Sequence, residues 1–153
     1  REPFPVRWPG VPKPGSTCDS PVISTDFYPT LLDAAGLPAL EKQHQDGVSL
    51  VPLLKQAGKL EREALYWHYP HYSNQGGMPG AAIRMGDYKL IERFEDGRVH
   101  LYNLAKDVGE RTDLAAKMPD RVGAMRTRLH RWYDEVDAKF LVARPDGPQP
   151  WRP

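Results

Sequence analysis

Residues 80–104 have the sequence GAAIRMGDYKLIERFEDGRVHLYNL, and this stretch indicates the fold. It contains three runs with apolar residues, separated by two short segments that have the composition of turns. In the first turn, Gly86 can adopt the positive φ that a tight reversal requires. The second turn contains Asp96-Gly97, a dipeptide typical of hairpins. The stretch therefore predicts three short antiparallel strands joined by two tight turns.

Both faces of these predicted strands carry apolar groups, because Tyr88 and Leu90 alternate with Lys89 and Ile91. A sheet of this kind needs cover on one side and a neighbouring strand on the other. Residues 64–69 (ALYWHY) are rich in aromatic residues and too short for a helix. They predict a fourth strand of the same sheet.

A long amphipathic segment near the C-terminus is the predicted cover for the sheet. Pro119 suits the first turn of a helix, and apolar residues recur around and beyond it at steps of three and four. These residues are Met118, Val122, Met125, Leu129, Trp132, Val136 and Phe140. From residue 144 the chain is rich in proline, which predicts an extended or disordered tail.

The N-terminal third predicts a strand followed by a helix. Residues 4–8 (FPVRW) indicate a short extended segment, at an edge or a bulge because of the proline within it. Residues 24–36 (STDFYPTLLDAAG) predict a helix that Ser24 or Thr25 can cap and that Gly36 ends.

Length, composition and charge exclude several classes of protein. A chain of 153 residues with 40% hydrophobic content fits one ordinary globular domain. Its net charge of +1 gives no electrostatic reason to expect nucleic acid or an anionic membrane as a partner. The single cysteine, Cys18, excludes an internal disulfide framework, and no apolar run approaches the roughly 20 residues that span a bilayer. The chain lacks an initiator methionine and is expected to be a piece of a longer protein.

The candidate site residues lie at the end of the predicted fourth strand and in the loop that follows it, residues 70–80 (PHYSNQGGMPG). His68, Tyr69, His71 and Tyr72 can form a polar and aromatic recognition surface, since long irregular loops often carry binding residues. Alternatively, the aromatic rings pack against the sheet and the histidines bond to backbone carbonyls. Both interpretations are open. Two imidazoles without a third ligand do not make a metal site.

Six blocks of sequence occur in an order that matches one protein family. They are REP…RWPG (1–10), STDFYPTLLDAAG (24–36), DGVSL with PLL (46–54), WHYP (67–70), AIR with GDYKL (82–90) and LYNL with Asp107 and Gly109-Glu110 (101–110). On these blocks the chain resembles the C-terminal part of the type I sulfatases, the arylsulfatase-like members of the alkaline phosphatase superfamily. The resemblance runs from Arg1 to about Tyr133.

The resemblance implies an α+β fold in which a small antiparallel sheet of about four strands is covered by a long C-terminal helix. A strand and a helix that belong to a missing catalytic α/β domain would precede it. Residues 1–60 would be the trailing part of that catalytic domain, and residues 61–143 the C-terminal sulfatase subdomain. Residues 144–153 would be the extended or disordered tail.

The same resemblance implies hydrolysis of a sulfuric ester by the parent protein. Sulfatases use calcium and a formylglycine that is made from the first residue of a Cys/Ser-x-Pro-x-Arg motif. Cys18 is followed by Asp-Ser-Pro, so the motif is absent here, and this chain would hold no catalytic or metal-binding residue. The expectation is that nucleophile and calcium lie upstream, that the chain alone is inactive, and that its partners are the upstream catalytic domain and a sulfate ester.

Within the resemblance, the chain would complete the fold and the 69–80 loop would help to select the ester. A stand-alone, non-catalytic module that binds a sulfated or anionic ligand is the alternative, and phosphonate or phosphodiester hydrolases of the same superfamily are a third. Apolar faces that pack on the catalytic domain would be exposed in the isolated chain and favour self-association. The residues leave the compartment open; periplasmic, extracellular and lysosomal locations are common in the family.

Overall fold

The structure is a computed structural model that describes residues 2–147, Gln149 and Trp151. The chain divides into two compact units, residues 1–62 and residues 63–153. Among the described residues, no helix has both the length and the apolar character that a membrane span requires.

Two short helices form in the described part of the first unit, residues 2–62. A 3₁₀ turn at Ser24–Asp26 leads into α1 (Phe27–Ala34), and α2 covers Val51–Leu54. The helix predicted for residues 24–36 is therefore present, and Gly36 follows it with a φ of +67°, a value that favours glycine. Neither Ser24 nor Thr25 caps α1 through its side chain.

The buried carboxylate of Asp26 organises the start of α1. It accepts hydrogen bonds from the backbone N–H groups of Ile23 at 2.9 Å and Val48 at 3.1 Å. Both of its oxygens also accept from the guanidinium of Arg62, at 2.6 and 3.0 Å. A buried carboxylate needs a cationic partner, and the bidentate ion pair fixes the orientation of Asp26 relative to Arg62. Asp26 thus joins three segments of the first unit that are distant in sequence.

The strand predicted for residues 4–8 is wrong, because the described residues there form no strand. A strand needs a neighbour to receive its backbone hydrogen bonds, and the described part of the first unit contains no strand at all. In addition, the prolines in and around the segment lack the backbone N–H group that would donate a hydrogen bond to a neighbouring strand. The ring of Phe4 instead stacks on Phe27, with ring centres 4.8 Å apart.

The second unit contains the four-stranded antiparallel sheet that the sequence predicts. Its strands are β1 (Leu65–Tyr69), β2 (Gly80–Met85), β3 (Tyr88–Arg93) and β4 (Val99–Asn103), in the spatial order β1-β2-β3-β4. Both predicted turns are present, and Gly86 and Gly97 adopt φ values of +55° and +71°. The hairpin turns therefore set the register, in which Ile83 pairs with Leu90 and Leu90 with Leu101.

One face of the sheet is covered by α3 (Pro119–Glu135), as predicted. The core between them consists of Ala64, Ala81, Ile83, Leu90, Phe94, Leu101, Met125, Leu129 and Tyr133. The apolar repeat of the sequence continues to Phe140, but the helix ends at Glu135, and Asp137 adopts a φ of +49°. Phe140 still packs against the core, from an irregular segment rather than from the helix.

The predicted tail, residues 144–153, falls partly outside the described residues, which exclude Pro148, Pro150, Arg152 and Pro153. Trp151 is described, and its ring lies nearly parallel to that of Phe94, with centres 6.3 Å apart. The guanidinium of Arg126 lies 5.4 Å from the centre of the same indole. This part of the C-terminal segment contacts the sheet and helix.

A fully buried carboxylate, that of Glu92, lies in the core of the second unit, where a charged residue is not expected from its type. Glu92 accepts hydrogen bonds from Arg126 Nε at 2.6 Å, His130 Nε2 at 2.9 and 3.0 Å, and Tyr133 Oη at 3.0 Å. Burial and the adjacent Glu92 carboxylate both raise the pKa of Tyr133, so its hydroxyl stays a donor. These contacts connect β3 to three positions of α3.

Replacing Arg126 with alanine should destabilise the chain strongly, because it removes the cation that pairs with a buried carboxylate. We expect a loss of roughly 3 kcal/mol in the free energy of unfolding, measured by urea denaturation. Arg128→Ala is the matched control on the same helix, since Arg128 pairs with the exposed Glu135, at 3.7 Å, and should cost less than about 1 kcal/mol. Equal losses for the two variants would contradict the role assigned to Glu92.

Candidate functional site

The candidate site residues belong to the end of β1 and to the β1–β2 loop, residues 70–79. Tyr69 and Gly80 pair directly across the two strands, so the loop leaves and re-enters the sheet at one place. A loop of this length with both ends fixed on adjacent strands projects from the end of the sheet. The sheet therefore determines where the loop residues lie.

The centre of the β1–β2 loop is a closed turn. Ser73 N–H donates to the carbonyl of Gly77 at 3.1 Å, and Gly76 N–H donates back to the carbonyl of Ser73 at 3.1 Å. Gly76 has a φ of +88°, and a Cβ at Gly77 would lie 2.9 Å from Ser73 Cβ. The two glycines are therefore required for this turn.

The turn between β3 and β4 and the end of β3 hold the loop in place. Phe94 N–H donates to the carbonyl of Pro79 at 3.1 Å, and the Tyr72 hydroxyl donates to Glu95 Oε1 at 2.7 Å. The hydrogen bond to Glu95 is the main cause that raises the pKa of Tyr72. A Cβ at Gly80 would lie only 2.7 Å from the carbonyl oxygen of Glu92, so only glycine permits this close approach.

The structure brings Tyr69 and His71 together and leaves both accessible. Their rings meet edge to face with centres 5.4 Å apart, and Tyr69 is 51% exposed. Tyr72 is 64% exposed although its hydroxyl is bonded to Glu95. These three side chains offer hydroxyl and imidazole groups for hydrogen bonding and aromatic faces for stacking.

His68 lies on the opposite face of β1 from Tyr69, because side chains alternate along a strand. Its ring packs among aromatic residues of the core, at 5.2 Å from Phe94 and Phe140 and 5.5 Å from Tyr133. Its Nε2 atom lies 2.6 Å from the carbonyl oxygen of Lys139. His68 is therefore separated from Tyr69 and His71, although the three are close in sequence.

The partners in two contacts of the site could not be identified from the sequence, although a bond from His68 to a backbone carbonyl is what the alternative interpretation predicts. Glu95 follows Tyr72 by 23 residues, and the Lys139 group that bonds His68 is a backbone carbonyl, which residue identity does not specify. Among residues 2–147, 149 and 151, no three His, Cys, Asp or Glu side chains converge as a metal ion would require. The groups at the loop are suited to non-covalent recognition.

Comparison with protein families gives a match over most of the chain. The family model described as "N-sulphoglucosamine sulphohydrolase, C-terminal" matches residues 1–139. A protein named "Sulfatase" from Formosa agariphila is 37% identical over 147 residues, which cover 86% of this chain and 27% of the relative. An N-acetylglucosamine-6-O-sulfatase from Bacteroides thetaiotaomicron is 33% identical over 151 residues, covering 95% of this chain and 26% of the relative.

A solved structure has the same arrangement of sheet and helix. It is a complex with the substrate D-glucosamine-2-N,6-O-disulfate, and it superimposes with a TM-score of 0.73 at 28% sequence identity. The match covers 86% of this chain and 28% of the other. The chain thus spans about a quarter of the length of the relatives it matches.

Proposed function

The chain belongs to the sulfatase family, in the part that the family model describes as C-terminal. From this premise we propose that the chain completes the fold of a sulfatase and contributes to substrate recognition. The family match over residues 1–139 carries the proposal. The four-stranded sheet with α3 supports the first role, and the exposed β1–β2 loop supports the second. The alternative, a stand-alone module that binds a sulfated ligand, requires the same loop to bind without a catalytic domain.

The proposed substrate is a sulfate ester on a glucosamine-containing glycan. Three similarities support this class: the family model is named for N-sulphoglucosamine, one relative for N-acetylglucosamine-6-O-sulfate, and the solved complex for a glucosamine disulfate. The chemistry of the loop is compatible with it. Aromatic faces stack against sugar rings, while hydroxyl and imidazole groups bond to hydroxyl and sulfate oxygens.

Tyr69, His71 and Tyr72 are the residues that we propose to contact the substrate. All three are exposed, and the sheet holds the loop that carries them at both ends. A side chain that is already in place loses little freedom when a ligand binds, which favours affinity. His68 is a neighbour of these residues in the sequence, but its ring packs against Phe94 and Phe140, which supports an indirect contribution to the same surface.

Calcium and a formylglycine are the groups that the family implies, and this chain does not fit them. The sequence has no Cys/Ser-x-Pro-x-Arg motif, and the described residues offer no set of three metal ligands. In our proposal, both groups come from an upstream part of the parent protein. This chain would then bind and orient the substrate without supplying nucleophile or metal.

We expect the purified chain alone to hydrolyse no aryl sulfate, because it lacks the groups that stabilise a transferring sulfuryl group. The measurement is release of a chromogenic phenol, with the parent protein carrying the same chain as the positive control. Turnover by the isolated chain above the background of a mock purification would contradict the proposal.

His71→Ala and Tyr72→Ala in the parent protein should weaken the use of a sulfated glucosamine disaccharide. We expect KM to rise roughly tenfold, the equivalent of one or two lost hydrogen bonds, with a smaller change in kcat. A small aryl sulfate that does not reach the loop should be hydrolysed at the wild-type rate. His44→Ala, a histidine variant in the first unit, is the control and should leave both substrates unaffected.

The two substrates separate recognition from folding. If both variants lose activity equally on the disaccharide and the aryl sulfate, the loop supports the fold and does not select the ester. If both variants hydrolyse the disaccharide with wild-type kinetics, the β1–β2 loop is not part of the binding surface. Tight disaccharide binding by the isolated chain would favour the stand-alone module.

The first unit has an apolar surface that we propose causes self-association of the isolated chain. Its exposed side chains include Phe4, Phe27, Tyr28 and Leu31, of which Leu31 is 67% exposed. Exposed apolar patches of this kind favour contact with a second apolar surface, and another copy of the chain supplies one.

Leu31→Lys should therefore shift the isolated chain towards the monomer, measured by sedimentation equilibrium. We expect the dissociation constant to rise about tenfold, since one large apolar side chain is lost from the contact. Val142→Lys is the matched control, because Val142 is 85% exposed but lies in the second unit. A chain that is monomeric at all concentrations would contradict the proposal, as would equal effects of the two variants.

A further inference from the structure

The half-buried side chain of His68 connects the start of the β1–β2 loop to the segment that follows α3. We propose that His68 is a positioning residue: its Nε2–H bond to the Lys139 carbonyl holds the loop in the orientation that presents Tyr69 and His71. This inference rests on the proposed recognition role of the loop, but the bond itself can be tested without any substrate.

The geometry fixes which atom of the imidazole donates. A backbone carbonyl can only accept, so the 2.6 Å contact requires the hydrogen to be on Nε2 of His68. The other ring nitrogen, Nδ1, is buried and has no hydrogen-bond partner among the described residues. The Lys139 contact is therefore the one polar bond that this ring makes in the described structure, and it decides how the ring is oriented.

The Lys139 carbonyl reaches His68 because the chain reverses sharply after α3. Ala138 N–H donates to the carbonyl of Tyr133 at 2.9 Å, and Asp137 occupies the left-handed region at a φ of +49°. A non-glycine residue in that region is uncommon and persists only where neighbouring contacts hold it. The bond from His68 is one such contact.

Both ends of the loop contact the same core residue, Phe94, one through its ring and the other through its backbone N–H. His68 precedes the first loop residue by two positions, and its ring lies 5.2 Å from that of Phe94. At the other end, the carbonyl of Pro79 accepts from Phe94 N–H at 3.1 Å. His68 and Phe94 thus fix the two ends of the loop to one another.

Because side chains alternate along β1, the orientation of His68 also sets the orientation of the exposed Tyr69. When His68 is held towards α3, the next side chain, Tyr69, must point to the other face of the sheet. The ring of Tyr69 then meets that of His71 with centres 5.4 Å apart. A loss of the Lys139 bond would let the end of β1 twist and would separate these rings.

The test compares His68→Gln with His68→Met in the parent protein. The two side chains have similar length, but only glutamine carries an N–H donor at the position of Nε2. His68→Phe keeps an aromatic ring without a donor, and His100→Phe on the opposite face of the sheet is the control. Amide hydrogen exchange is measured over residues 70–79 and 136–141, and KM and kcat are measured on the disaccharide and the aryl sulfate.

We expect exchange in both segments to increase roughly threefold to tenfold in His68→Met and His68→Phe, as for loss of one hydrogen bond, and to stay near wild type in His68→Gln. KM for the disaccharide should rise in the same two variants, while the aryl sulfate is unaffected. His100→Phe should change exchange in neither segment.

Equal exchange in His68→Gln and His68→Met would overturn the inference, because the ring would then act only through packing. Unchanged exchange in all His68 variants would overturn it as well. If His71→Ala and Tyr72→Ala leave the disaccharide KM unchanged, the recognition proposal fails, and the exchange comparison still decides whether His68 holds the loop. If His68→Phe does not fold, the glutamine and methionine pair remains decisive.

Discussion

A buried carboxylate that must be paired is the constraint on which the second unit depends. Glu92 lies on the face of β3 that α3 covers, and Arg126, His130 and Tyr133 all bond to it. An apolar interface alone tolerates sliding of a helix over a sheet, whereas a buried charge has one arrangement in which its oxygens are satisfied. The pairing therefore fixes the position of α3 along the sheet.

The position of α3 then determines the geometry of the loop. Because α3 ends at Glu135 and the chain reverses at Asp137, Lys139 and Phe140 return to the sheet beside His68. The core contacts of His68 orient the end of β1, and the hairpin between β1 and β2 carries that orientation to the exposed rings of the loop. Rigid elements thus hold a surface that is itself irregular, a common arrangement for binding sites.

Membership of the sulfatase family is consistent with the role proposed for this surface, in which the chemistry is supplied by another part of the parent protein. Relatives are about four times as long as the segment that they share with this chain. In the function proposed here, one part of the protein performs the chemistry and this chain contacts the substrate, which requires this chain to be rigid. The four-stranded sheet with its covering helix meets that requirement, and in the proposed role a change in the loop would alter specificity without altering the scaffold.

Local patterns in the sequence determined the elements of the fold. The two glycine-containing turns, the alternation within residues 80–104 and the spacing of three and four around α3 depend on neighbours within a few residues, so they were predictable. The strand at residues 4–8 was not, because a strand exists only if another strand lies beside it. The alternation that places Leu90 and Phe94 in the core also places Glu92 there. Because Glu92 is charged, its position in this pattern did not by itself predict burial.

The sequence thus determined the family, the four strands and the covering helix, and it located the candidate loop. Only the tertiary structure decided that Tyr69 and His71 share one surface while His68 belongs to the core. Adjacent residues of a strand point to opposite faces, but which face is exposed depends on where α3 packs. That position depends on contacts between residues far apart in the sequence, and no local pattern encodes them. Glu92 and Arg126 are 34 positions apart, and His68 and Lys139 are 71 positions apart.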